Sequence, residues 1–142
     1  MALNYLDADD LAGAVDSEWL LAAADDNRDD IADADILTQA LEDAEAEIDA
    51  YLSARYATPL SGDLPGIIRQ AGVSLAAEAL ASRKPGLILG EGMEARVRQA
   101  RSLLASIARG ELALAGGSSR KRTDSTTRGV DAPLRDGGLD AF

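Results

Sequence analysis

The chain has 142 residues, a formal net charge of −11, 46% hydrophobic content of which little is aromatic, and no histidine or cysteine. One domain with a single core fits that length, and the missing residue types exclude thiol nucleophiles, imidazole bases, disulfides and the usual zinc ligands together. Any catalysis would rest on carboxylates, Ser, Thr, Lys or Tyr, so the expectation is a protein that is not an enzyme and takes no cofactor.

The N-terminal MALNYLDADD is acidic, and no apolar run approaches the roughly 18 residues a membrane helix needs. This predicts a soluble protein made in a reducing cytoplasm. Charge is shared unevenly along the chain. Residues 1–66 carry 17 acids against two bases, Arg28 and Arg55, a net of −15; residues 67–142 carry 8 acids against 12 bases, a net of +4. The two halves attract each other, either within a subunit or between identical neighbours.

Tyr5 to Ala24 reads as a first helical region with Leu6, Leu11, Val15, Trp19 and Leu20 inward. Asp7 or Asp9 can start one short helix and Asp16 or Ser17 a second, with a break near residues 13–16 where Gly13 weakens the helix. Residues 25–35, DDNRDDIADAD, follow as an aspartate-rich loop. Asp25, Asn27 and Asp29 take the first, third and fifth places of a calcium-loop pattern, but Asp30 stands where glycine is wanted and Ile36 where the bidentate glutamate belongs. A solvated acidic turn is the better reading.

Asp35 to Pro59 is the stretch on which the rest is expected to pack. Leu37, Ala40, Leu41, Ala44, Ile48, Tyr51, Leu52 and Tyr56 recur at three- and four-residue steps, a helix of about six turns with Asp35 as its cap. Its other face carries Glu42, Asp43, Glu45, Glu47 and Asp49 with no Lys or Arg one turn on, so relief must come from another segment. Pro65 then suits the start of a second helix with Ile68, Gly72, Leu75, Ala76, Ala79 and Leu80 on its face, stopped by Pro85-Gly86.

In GLILGEGMEARV, Gly90, Gly92 and Ala95 fit a phosphate-loop spacing, yet Glu91 would face the phosphates and no strand-helix units surround it. A glycine hinge before a third helix, about Glu91 to Arg109 and closed by Gly110, is preferred. Met93, Val97, Ala100, Leu104 and Ile107 form its seam, Arg96, Arg98, Arg101 and Arg109 supply positive charge, and Glu94 can pair with Arg98. From Ala115 the composition turns Gly-, Ser- and Thr-rich around the basic triplet Arg120, Lys121 and Arg122. The spaced apolar residues Val130, Leu134, Leu139 and Phe142 read as anchors for a partner. The whole is an all-α small helical bundle, three main helices plus an N-terminal helical region over residues 1–114, with an extended tail over 115–142.

The run ALEDAEAEIDAYLSARYATPL, Ala40 to Leu60, with YLDADDL before it and RSLLASIARGELAL after it, resembles the small adaptor proteins encoded in the head genes of Mu-like phages and prophages. The pattern D-A-x-x-E-I-D-x-Y-L-x-x-R-Y-x-x-P-L from Asp43 to Leu60 and I-A-x-G-x-x-x-L from Ile107 to Leu114 carry the likeness, which spans roughly residues 3–114. The resemblance implies a head-tail connector in the virion neck: a homo-oligomeric ring, usually of twelve copies, under the portal protein. A tail-side neck protein would lie beyond it, DNA would pass through the channel, and the C-terminal tail would reach into the portal. Glu42, Glu45 and Asp49 are then expected near Arg98, Arg101 and Arg109 of the same or the next subunit, as interface residues of the ring, and portal contacts at Arg120, Lys121, Arg122, Val130, Leu134, Leu139 and Phe142. A nucleic-acid-binding regulator using the basic C-terminal segment is the rival, opposed by the net charge of −11.

Overall fold

Short acidic side chains decide where the chain first turns helical. In the computed structural model, which describes residues 3–60 and 65–114, helix α1 (Ala8–Ala14) starts at Asp7. The Asp7 carboxylate accepts from the Asp10 amide at 2.9 Å, and the Asp10 carboxylate accepts from the Asp7 amide at 3.0 Å. This is a reciprocal capping box built from two aspartates. Asp16 starts α2 (Ser17–Ala24) by accepting from the amides of Glu18 and Trp19. The expected break falls at Val15 and Asp16. Leu6, Leu11 and Leu20 are buried, with Val15 and Trp19 packed partly against the core.

Helix α3 (Ala34–Leu52) departs from expectation at both ends. Asp33, not Asp35, is the N-cap residue, and its carboxylate bonds the Asp26 amide at 3.1 Å instead of capping its own helix. The helix stops at Leu52, so Tyr56 sits in the turn beyond it, ahead of a cis Thr58–Pro59 bond. Helix α4 (Gly66–Ser82) has Pro65 as N-cap residue, and α5 (Glu91–Ala108) begins after Gly90 and is closed by Gly110 in the left-handed conformation (φ 81°). The five helices of the described residues make an all-α bundle, and none is long and apolar enough to cross a membrane.

The centre of the bundle is α4 rather than α3. Every residue from Ala71 to Ala77 is buried, and α4 touches each of the other four helices. Its small side chains, alanines with Gly72 and Ser74, leave room for neighbours all round, so it has no broad polar face to turn outward. Ser74 satisfies itself by donating to the Gln70 carbonyl one turn back at 3.1 Å. At Gly72 the approach is closest: a Cβ there would lie 2.8 Å from Leu6 Cδ1 and 3.0 Å from Ile48 Cδ1.

Leu6 reaches that position because the segment before α1 is fastened to α3. The Glu45 carboxylate, inside the protein at 5% exposure, accepts from three successive backbone amides: Asn4 at 2.8 Å, Tyr5 at 2.7 Å and Leu6 at 2.8 Å. A charged acceptor makes each of these bonds stronger than a neutral pair, and removing it would orphan three donors, of which those of Tyr5 and Leu6 are buried. Glu45→Ala should therefore destabilise the bundle by about 3–5 kcal/mol. Urea unfolding followed by circular dichroism measures this, and Glu47→Ala is expected to cost far less.

Candidate functional site

Three polar assemblies tie the helices together, and what they leave unused defines the surface available to partners. The first is centred on Tyr5. Its hydroxyl donates to Asp49 Oδ1 at 2.5 Å and accepts from the Leu60 amide at 2.8 Å, joining the N-terminal segment to α3 and to the turn after Pro59. Burial, reinforced by the bond to Asp49, pushes the Tyr5 phenol well above its ordinary value. Burial also holds the Asp49 carboxyl above its usual range, with the Glu45 carboxylate adding to the rise and the Tyr5 hydroxyl opposing it.

Arg101 forms the second assembly. Its guanidinium bonds Glu47 on α3 (Nε to Oε2, 2.8 Å) and Glu78 on α4 (Nη2 to Oε1, 2.5 Å), each through two hydrogen bonds. One planar cation thus bridges the three long helices, and both glutamates, Glu47 first, hold its proton more tightly than usual. The third assembly closes α2. Arg83 donates to the Ala23 carbonyl at 2.6 Å and Lys84 to the Ala22 carbonyl at 2.9 Å, while both pair with Asp26. Cations placed at a helix C-terminus oppose its negative end. The Arg83 guanidinium, with Lys84, holds the Asp26 carboxyl below its usual range.

The two sequence patterns singled out above meet where α3 and α5 end. The Tyr56 hydroxyl accepts from the Leu114 amide at 2.9 Å, and Arg55 lies over Gly110, where a Cβ would be 2.6 Å from its Nη1 atom. The positive φ at Gly110 is what calls for glycine here, and the bare Cα leaves the space that the Arg55 guanidinium takes.

The expected interface residues separate into different roles. Arg101 does meet acids of α3, but through Glu47, not Glu42, Glu45 or Asp49. Glu45 is turned inward and Asp49 is held by Tyr5, so these two serve the fold of their own chain. Arg109 pairs with Glu111 two residues on, an exposed pair that raises the arginine and lowers the glutamate. Glu42 stays half-buried on α3. Arg98 is exposed and makes no ion pair among the described residues, Glu94 included. It borders a cleft of about 610 Å³ with Leu87, Leu89 and Val97, next to Ile88, which is 79% exposed although its carbonyl accepts from Trp19 Nε1. Arg120, Lys121, Arg122, Val130, Leu134, Leu139 and Phe142 lie outside the described residues.

Sequence reasoning missed Glu45 as an anchor, Glu78 as a partner of Arg101, and the link from Arg83 and Lys84 to α2. Only Glu45 left a local signal. It stands four residues after Leu41 and three before Ile48, inside the apolar stripe where a carboxylate must find donors. In the aspartate loop the structure gathers Asp25, Asp29 and Asp33, with one oxygen of each within 4.8 Å of the others. Asn27 instead accepts from the Asp29 amide, and Asp25 from the amides of Asp29 and Asp30, with Asp30 itself in the left-handed region (φ 66°). These carboxylates act on their own turn.

Fold and anchors together define an all-helical bundle in which the segment before α1 is fastened to α3 and the last described residue, Leu114, to the turn that follows α3. A family model described as Bacteriophage Mu, Gp36 matches residues 5–131, and the chain belongs to that family. It is therefore a Mu-like phage protein, and membership suggests a structural or morphogenetic role. No curated protein matches it.

The Tyr5 assembly has a readable alkaline signature. An unfolded Tyr5 releases its proton near its ordinary pKa of 10.0, whereas the folded one keeps it beyond that point. The contribution is complete below about pH 10 and is lost as pH rises above it. Tyr5→Phe should lower stability at neutral pH by about 1–2 kcal/mol. Between about pH 10 and 11.5 the parent should lose up to about 1.4 kcal/mol per pH unit more than the variant, as read from urea midpoints.

Proposed function

We propose that this chain is a structural connector between the phage head and tail. Copies form a closed ring, most simply of twelve, beneath the portal and leave a channel for the genome, with no catalytic role. The observation that carries this reading is the division of labour among the arginines of α5. Arg101 is used up inside the subunit, while Arg98 stands outward on a cleft of mixed polar and apolar lining that it shares with the exposed Ile88. A cation next to an apolar knob suits a head-to-tail contact with the acidic side of the next copy, the arrangement that closes rings.

An acid-rich surface fits the same reading. A channel wall of carboxylates repels phosphate, so DNA slides past without adhering. The regulatory alternative depends on Arg120, Lys121 and Arg122, and a chain of net charge −11 is poorly suited to holding DNA. The C-terminal segment is the part proposed to engage the portal, through its basic triplet and its apolar residues.

Ile88→Asp combined with Arg98→Glu is expected to leave the circular dichroism and thermal midpoint within a few degrees of the parent, since both side chains are exposed. Rings on purified portals, counted by electron microscopy and native mass spectrometry, should be lost. Undiminished rings in both low and high salt would show that this edge does not join subunits. Deleting residues 128–142 should likewise give a folded protein that no longer docks on DNA-filled heads; retained docking would remove the tail from the proposal.

A further inference from the structure

The side of the bundle away from Arg98 is open as well. A groove of about 800 Å³ runs between α1, α4 and α5. Ile67, Val73, Met93 and Leu103 give it apolar walls, and Arg69 and Arg96 stand on it, outnumbering the single acid Asp10. Both arginines are exposed and make no ion pair among the described residues. Ile67 is 43% exposed, and Met93 and Leu103 are only partly covered. The sequence supplies an occupant of matching chemistry.

We propose that this groove is the docking site of the chain's own residues 130–142. That segment spaces Val130, Leu134, Leu139 and Phe142 among Asp131, Asp136 and Asp140, with Arg135 its one cation. Apolar side chains meet apolar walls, and the carboxylates meet Arg69 and Arg96. Charge runs the right way for this pairing and the wrong way for a basic peptide.

Reach favours the chain's own segment over that of another copy. The fold releases the chain at Leu114, just beyond the helix that provides Met93, Arg96 and Leu103. Sixteen residues from there to Val130 span about 20–24 Å as a flexible coil and at most about 55 Å when extended. A bundle of this size has a radius of gyration of about 13 Å, so the groove lies inside that range. A short tether sets an effective concentration of the order of 1 mM, so even a contact with Kd near 0.1 mM would be mostly filled. Docking here does not require the ring. Where the ring reading holds, groove and portal compete for the same four apolar side chains.

The absence of cysteine allows a single spin label on the full-length chain through Thr127→Cys, and the two methionines, Met1 and Met93, make methyl NMR direct. Docking predicts strong broadening of the Met93 methyl signal that persists unchanged on tenfold dilution. It should fall by at least about threefold in Arg69→Glu with Arg96→Glu, and likewise in Leu139→Asp with Phe142→Asp. A Met93 signal as sharp as in the unlabelled protein would overturn the proposal. So would broadening that disappears on dilution, which would assign the groove to a second copy's tail, or broadening that survives both pairs of substitutions.

Discussion

The fold depends on one buried carboxylate. Glu45 would be costly inside the bundle if it stood alone, but three consecutive amides converge on it and convert the cost into a fastening. Because those amides belong to Asn4, Tyr5 and Leu6, the stretch before α1 is held against α3 and Tyr5 and Leu6 become part of the core. Tyr5 is then placed to reach Asp49 and the Leu60 amide, and Leu6 to lie against Gly72 and Ile48. Sequence, local conformation and packing meet at this point: a glutamate in an apolar stripe, a chain of free amides, and a glycine that leaves space for the leucine between them.

Most of what could be read in advance was written locally. Asp7, Asp16 and Gly110 mark helix ends through chemistry confined to a few neighbours, and the structure uses them in those roles. Asp33 shows the limit of such reasoning. With several aspartates in succession, the one that begins α3 is chosen by the path of the loop, and its side chain is spent on the Asp26 amide. The central place of α4 was hidden for a related reason. Periodicity reveals a helix with one polar face, whereas a run of alanines and glycine buried on every side presents no contrast to detect. Pairings such as Arg101 with Glu78, or Lys84 with the end of α2, join distant parts of the chain, and no spacing rule encodes them.

Part of the lopsided charge is met within the subunit. Cations from the later part of the chain are delivered to acids and helix ends of the earlier part: Arg101 to Glu47, Arg83 and Lys84 to Asp26 and the carbonyls of α2. Two of the cations that make no ion pair among the described residues stand on opposite sides of α5, Arg98 on one and Arg96 on the other. Residues two apart on a helix point about 200° from each other, so a single element offers two separate basic surfaces.

Where the chain departs from the bundle also matters mechanically. Leu114 is buried and its amide is held by Tyr56, while Arg55 rests on Gly110 four residues earlier. Tension applied to the residues that follow is therefore carried into the turn after α3 before it can peel the last turn of α5. The exit works as a cleat: the rope beyond it can be hauled or slackened while the hull keeps its shape.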